Sequence, residues 1–326
     1  ILMTRIGDVG TTNVVETAEK VAFYVSLALL KPNGIDSYFL SNAMKTNPFL
    51  KGLRERTLVT AIPQKINKDE IGKIDIFITN NDEEQKKIGA YFHNLDNLIT
   101  LHQRKCEQTK NLKKYMLQKM FPQNGAKVPE IRFDGFTYDW EQRKLGEVCS
   151  RVQGNDGRMD LPTLTISAAN GWMNQEDRFS GNIAGKEQEN YTLLHKGELS
   201  YNHGNSKLAK YGTVFSLQSY KEALVPRVYH SFKVEEGSPD FLEYYFATKL
   251  PDRELGKLIS SGARMDGLLN IGYNEFMGIQ MLFPSVEEQK QISNYFRNLD
   301  HLITLHQRKC DELKKMKKYM LQNMFI

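Results

Sequence analysis

One stretch of this chain occurs twice, and that recurrence limits what the chain can fold into more than any other feature. Residues 83–121 read EEQKKIGAYFHNLDNLITLHQRKCEQTKNLKKYMLQKMF, and residues 287–325 read EEQKQISNYFRNLDHLITLHQRKCDELKKMKKYMLQNMF. Aligned without a gap, 28 of 39 positions are identical, and self-similarity at a fixed offset marks a duplicated structural unit. Each copy carries a helix start signal. Asn81 and Ser285 stand at the N-cap position, with Glu84 and Glu288 three residues on to complete a capping box. Pro122 stops the first copy.

Within the first copy Ile88, Phe92, Leu95, Ile99, His102, Cys106, Thr109, Lys113, Met116 and Met120 recur at steps of four and three. The second repeats them as Ile292, Phe296, Leu299, Ile303, His306, Cys310, Leu313, Lys317, Met320 and Met324. That is coiled-coil spacing. At 1.5 Å per residue each copy makes a rod of about 58 Å, too long to bury its stripe against one small domain. Two separate surface helices are the alternative, but each rod offers the other a matching stripe, so mutual pairing is expected. His102 and His306 read as polar residues that set register. A His with a Cys one turn away is half a zinc site at best, and no metal is expected.

The 326 residues exceed one typical core and fit two or three domains. With 40% hydrophobic and 25% charged residues the composition is that of a soluble globular chain. No apolar run approaches the roughly 20 residues that span a bilayer, and the first residues lack the regions of a signal peptide. Cys106, Cys149 and Cys310 show no paired framework, which points to a reducing cytoplasm. The formal charge of +5 is unevenly placed: the rods hold +4 and +3 and the remainder about −2. Any phosphate-binding surface outside the rods must therefore come from local patches.

Residues 1–80 begin with ILMTRIG, a strand already under way, followed by a loop with Asp8, Gly10, Thr11 and Asn13. Residues 21–30 suit a buried strand, 37–44 a helix and 71–78 an edge strand. Between the rods, 131–148 dock Trp140 and Leu145, strands fall at 161–167, 197–201, 213–217 and 223–230, and 240–248 form a short helix with Phe241, Tyr244 and Tyr245 on one side. LSYNHGNS at Leu199 parallels LMTRIGDV at Leu2, and DFLEYYFATK at Asp240 parallels SYFLSNAMKT at Ser37. The two segments read as copies of one domain, the first shorter by about 60 residues. The expected fold class is α+β: globular α/β domains separated by two long helices pairing as a coiled coil. The expected divisions are 1–80 for a partial first domain, 81–121 for the first helix, 122–284 for a complete second domain and 285–326 for the second helix.

The motifs EEQKKI, YFxNLDxLITLHQRKC and LKKYMLQ, with FDGFTYDWEQRKLGEV opening the central domain and FPSVEEQ closing it, resemble the specificity subunit of type I restriction-modification systems. The resemblance implies two target-recognition domains, each reading one half of a split target in double-stranded DNA, and two conserved helices that pair as an antiparallel coiled coil and act as spacer and platform. It also implies two modification subunits carrying S-adenosylmethionine for adenine methylation, and restriction subunits that use ATP and Mg. The chain itself then carries no cofactor and no catalytic centre. It departs from the family pattern in that its first recognition domain lacks its beginning.

The residues agree in what they omit. There is no glycine-rich phosphate loop followed by Lys-Ser/Thr, and Asn47-Pro48-Phe49 is only a fragment of an adenine methyltransferase motif. Asp252 with Glu254 offers only a superficial metal pair. DNA reading needs exposed Arg, Lys, Asn, Gln, Ser and Thr. Four loops qualify, at 153–158 (QGNDGR), 167–172 (SAANGW), 201–207 (YNHGNSK) and 260–264 (SSGAR). In them Arg158 and Arg264 suit guanine, Asn170 and Asn202 suit adenine, and Lys207 suits phosphate, while Trp172 packs beneath its loop. Arg5, Thr11 and Asn13 take the corresponding place in the first segment. The rival class is a scaffold whose rods mediate self-association without reading DNA; a stand-alone regulator would need a helix-turn-helix, and none is found. On the spacer reading the half-sites lie no more than about 17 base pairs apart, one rod length at roughly 3.4 Å per pair. Inserting one heptad into both rods should lengthen the unread gap and leave each half-site intact, as mapped by methylation; an altered half-site would contradict the spacer role.

Overall fold

The computed structural model describes residues 1–179, 185–259 and 267–325. The chain divides into two compact units, Ile1–Gln108 with Leu302–Ile326, and Thr109–His301. None of the described helices is long and apolar enough to cross a membrane.

The first unit opens with three short strands, β1 (Leu2–Thr4), β2 (Thr12–Asn13) and β3 (Leu27–Leu29), antiparallel in the order β2-β1-β3. Helices α1 (Ser37–Ala43), α2 (Asn47–Arg56) and α3 (Lys68–Ile71) follow, then the long α4 (Asp82–Lys119). Phe49, Leu53 and Ile71 close over Met3, Ala28 and Ile66 to make this unit's core. The strand expected at 21–30 shrinks to Leu27–Leu29, and Val21, Phe23, Tyr24 and Val25 are exposed. β-Branched and aromatic content signals a strand only where a neighbouring surface receives it, and among the described residues β3 has β1 alone beside it. Residues 71–78 form no strand either.

The second unit begins with the end of α4 and continues through β4 (Glu141–Lys144), α5 (Leu145–Val148), β5 (Cys149–Arg151), β6 (Leu164–Ser167), β7 (Gly171–Asn174) and α6 (Gln175–Phe179). A 3₁₀ turn at Gly185–Asn190 leads to β8 (Thr192–His195), β9 (Leu199–Asn202), β10 (Thr213–Ser216), β11 (Glu222–Val225) and β12 (His230–Val234). Then come α7 (Pro239–Ala247), α8 (Asp252–Lys257), α9 (Tyr273–Met277), β13 (Gln280–Phe283) and the long α10 (Val286–Asn323). The main sheet runs β10-β9-β12-β5, with β11–β8, β13–β4 and β6–β7 as separate antiparallel pairs. The single strand expected at 223–230 is two strands, β11 and β12, parted by a turn that starts at Pro226; proline cannot donate to a ladder. Just ahead of α10, β13 pairs with β4; the segment just ahead of α4 pairs with no strand among the described residues, which is why the alternation at 71–78 produces none.

The two units repeat one design. β1 lies between β2 and β3 as β9 lies between β10 and β12, with Leu2 opposite Leu29 and Leu199 opposite Phe232. The next helix is capped by Asp36 in one copy and Ser238 in the other, accepting from the N–H of Phe39 and Phe241. That cap is fastened to a long helix by a glutamine. Gln85 Oε1 accepts from Asp36 N–H at 3.1 Å, and Gln289 Oε1 from Ser238 N–H at 3.0 Å. The glutamine amides donate to Thr79 O and Pro284 O, so both ends of each clamp are satisfied. One turn further on, Gly89 leaves room for the Asp36 carboxylate, whereas Ser293 hydrogen-bonds the smaller Ser238 at 2.8 Å. Phe39, Phe92 and Phe325 cluster in the first unit as Phe241, Phe296 and Phe121 do in the second.

α4 and α10 pack together along the stripe read from the sequence. Ile88, Phe92, Leu95, Ile99 and Cys106 are buried on α4, and Ile292, Phe296, Leu299, Cys310 and Leu313 on α10. The direction is antiparallel: in the first unit Asp96 pairs with Lys317, His102 meets His306, and Cys106 lies against the Ile303 carbonyl. In the second unit Lys113 pairs with Asp300 at 2.7 Å, the duplicate of the Asp96–Lys317 pair. Asn81 and Ser285 cap as expected, accepting from Glu84 N–H and Glu288 N–H. The other half of each capping box does not form. Glu84 accepts from Thr79 Oγ1, and Glu288 is held bidentately by Arg132 at 2.7 and 2.8 Å, a stronger partner than the cap N–H.

Two expected outcomes follow from this packing. In Gly89→Ala the new methyl would lie 2.3 Å from Asp36 Oδ1 and 2.9 Å from Phe39 N. The clash outweighs the gain in helix propensity, for a net loss of about 1–3 kcal/mol in chemical denaturation. Asp36→Ser combined with Gly89→Ser should recover most of it by rebuilding the Ser238–Ser293 pair. At the His102–His306 contact the Nδ1 atoms are 3.0 Å apart. Burial, then the charges of His306, Lys105 and Lys309, hold His102 below the usual imidazole range. The unfolded chain therefore takes up its proton first, and the stability of the pair should fall as pH drops below about 6.5. Denaturation midpoints across pH 5–8 should show that fall, and replacing both histidines with glutamine should lessen it, leaving the part that the buried His230 contributes.

Candidate nucleic-acid interface

In the second unit the loop candidates fall into two sets. Asn202 and Lys207 line a recess beside β9 that also takes in Ser167, Arg178, Asn205 and Ser206. Asn202 is fixed there: its Nδ2 donates to Ile166 O at 3.2 Å and its Oδ1 accepts from Gly204 N–H at 3.0 Å. Lys207 is exposed, and its ammonium has no partner among the described residues. Asn170 is exposed at the β6–β7 turn, ahead of Gly171, whose φ of 68° needs glycine. Trp172 donates from Nε1 to Ser216 O at 3.1 Å and packs against the cluster of Leu164, Ile166 and Leu217.

A second recess is bordered by Gln153, Asn155 and Asn190 with Arg151 and Arg227. Arg158, in the same loop as Gln153, is tied down. Its Nε donates to Asp156 at 2.7 Å, and its Nη atoms donate to Glu222 at 2.8 and 3.1 Å. The hydrogen bond donated to Glu222 pushes the guanidinium pKa up, and Arg158 in turn draws the Glu222 carboxyl below its usual range. Arg264 lies outside the described residues.

In the first unit Arg5 donates from Nε to Val25 O at 2.8 Å and from Nη1 to Ile66 O at 3.4 Å. The Thr11 hydroxyl donates to Asp8 at 2.7 Å. Asn13 is exposed on β2 and borders a recess with Tyr38, Asn42, Lys45, His93 and Asp96.

Sequence reasoning missed Arg151, Arg178 and Arg227. Arg151 stacks over the Tyr273 ring at 4.4 Å, while Arg227 is exposed and forms no ion pair among the described residues. Reading 223–230 as one strand hid Arg227, and Pro226 was the available sign of a turn. A second missed feature lies on the outer side of the long helices. Leu98, Leu101, Leu112 and Tyr115 are exposed on α4, and Leu302, Leu305, Met316 and Tyr319 repeat them on α10. Identical leucines in both LITL runs were the signal. Among the described residues no cluster of three or more His, Cys, Asp or Glu is placed to hold a metal.

No family model and no curated protein matches the chain. Among solved structures, the S subunit of a type I restriction-modification system from M. genitalium is 15% identical, with 100% of this chain and 82% of that chain covered at a TM-score of 0.63. The HsdS subunit from Thermoanaerobacter tengcongensis is 17% identical, with 88% of this chain and 69% of that chain covered at a TM-score of 0.47. The resemblance carried by the motifs is thus met in three dimensions: the chain shares the fold of the M. genitalium type I restriction-modification S subunit.

Proposed function

We propose that this chain is the specificity subunit of a type I restriction-modification enzyme, a non-catalytic cytoplasmic component that reads a bipartite target in double-stranded DNA. The reading is supported above all by one observation. The fold shared with the M. genitalium S subunit covers the whole chain, and within it one strand-and-helix design appears twice, each copy clamped by an equivalent glutamine to a copy of the same helix. A duplicated reader suits a split target, because each copy then needs to read only a short half-site.

In this reading Lys207, Arg178, Arg151 and Arg227 hold phosphates and fix register, while base edges are met by loop side chains such as Asn170 and Asn205. The exposed leucine and aromatic stripe accepts apolar helices of modification subunits, in the manner of a helix laid against a hydrophobic face. S-Adenosylmethionine, ATP and Mg belong to the modification and restriction subunits, and base flipping by the methyltransferase is aided here by position alone.

The deciding experiment is to co-express the chain with its neighbouring modification subunit in a host lacking adenine methylation and to map N6-methyladenine. A split motif with a fixed gap is expected; an intact complex that leaves no methylation would overturn the reading. Two variants refine it. Arg227→Ala should weaken DNA binding and lower the slope of log affinity against log salt by about one. Leu98→Glu with Leu302→Glu, at positions 43% and 41% exposed, should abolish co-purification of the modification subunit without altering the thermal stability of the chain.

A further inference from the structure

The two copies of the strand-and-helix design differ in length at one loop, β1–β2 in the first unit and β9–β10 in the second. Gly7 N–H donates to Gln64 O in the first, and Asn205 N–H donates to Gly267 O in the second. Gly10 and Gly212, at φ 109° and 81°, close the two loops. These shared points align them. Only Asp8 and Val9 lie between the points in the first unit, against Ser206 to Tyr211 in the second, an addition of four residues.

The added residues build a tip. Ser206 N–H donates to Ala209 O at 3.1 Å and Ala209 N–H to Ser206 O at 3.2 Å, while Ser206 Oγ accepts from Ala209 N–H at 3.1 Å. Two residues bonded to each other in both directions leave Lys207 and Leu208 alone at the apex of a tight hairpin. Its base is fastened as well. Ala209 is 2% exposed and accepts from Gly212 N–H at 3.2 Å, and the Tyr201 hydroxyl donates to Tyr211 O at 2.7 Å. The shorter loop turns Val9 against the first unit's core. The longer one turns Ala209 inward and holds Leu208 out, 67% exposed.

A single exposed leucine is ordinary and by itself signals nothing. This one is fixed on a hydrogen-bonded apex between Lys207 and Lys210, and it borders the recess that Arg178, Asn202 and Asn205 line. A tip of two adjacent chain segments is narrow enough for the DNA major groove, about 12 Å wide, which admits a two-stranded ribbon. Lysines beside it suit the phosphates along the groove. On the base edges in that groove the apolar group is the C5-methyl of thymine. We propose that Leu208 is a specificity-determining residue of the second unit, packing on a thymine methyl while Lys207 holds a neighbouring phosphate. The inference rests on the function proposed above and assigns one base of the target. Hydrogen bonds from the polar side chains of the recess do not register a methyl group; an aliphatic side chain does, and a fixed apex loses little freedom in making the contact. In the first unit Val9 is turned inward, so its β1–β2 loop is not expected to sense a thymine methyl.

The test uses the full chain in complex with its modification subunit, and duplexes carrying the target mapped by methylation. Each thymine of the motif, on either strand, is replaced in turn by deoxyuridine, which removes the methyl and keeps the base pair. At fixed salt, replacement at one thymine should weaken binding about fourfold, the burial of one methyl group. In Leu208→Ala, which should melt with the wild type, the intact site should bind more weakly and that replacement should change nothing further. Lys207→Ala should instead weaken every duplex alike and keep the response to deoxyuridine. If no thymine responds, or if every response persists in Leu208→Ala, the inference is overturned while the proposed function stands. If the complex does not prefer the mapped site to a scrambled duplex, the proposed function falls and the inference with it.

Discussion

Burial of the duplicated seam is the interaction on which the rest of this structure depends. A helix of 38 residues is about 57 Å long, and its apolar stripe finds a partner of equal length only in the other copy. Pairing in antiparallel sense brings the start of one copy to the end of the other. Each compact unit is therefore completed from a distant part of the chain. Phe325, at the end of the second copy, joins Phe39 and Phe92, and Phe121, at the end of the first, joins Phe241 and Phe296. Phe92 and Phe296 are fully buried, and truncating either to alanine costs about 3–5 kcal/mol in a core of this kind. The clamps by Gln85 and Gln289 then fix α1 and α7 to the paired helices.

The seam was legible residue by residue because a 3.5-residue period writes itself into the sequence. The N-caps at Asn81 and Ser285 were legible for a similar reason, since capping is local. What escaped depends on partners far along the chain. Residues 21–30 have the composition of a strand, yet Val21, Phe23, Tyr24 and Val25 are exposed because no strand among the described residues receives them. Glu288 stood ready for a capping box and turns instead to Arg132, 156 residues away. Arg5 read as a loop cation available to DNA; the carbonyls of Val25 and Ile66 that engage it belong to other segments of the first unit. Arg158 is bound in the same way by Glu222.

Duplication also makes the chain its own comparison. Where the two copies agree, as at the glutamine clamps and the paired Asp96–Lys317 and Lys113–Asp300 bridges, the shared design demands the residue. Where they differ, the differences compensate: aspartate against glycine in one copy, serine against serine in the other. The exposed loops obey no such rule. Their side chains have no code apart from backbone pose, which is why the fold leads to a class of function and leaves the target bases to experiment.

The central claim, that the two helix copies pair antiparallel within one chain about His102 and His306, has a direct test. In a variant with Cys106, Cys149 and Cys310 replaced by alanine, His102→Cys and His306→Cys would be treated with a short bis-maleimide at low protein concentration. The account predicts rapid cross-linking within single chains, seen as a compact species of monomer mass. Cross-links that join only separate chains would contradict it.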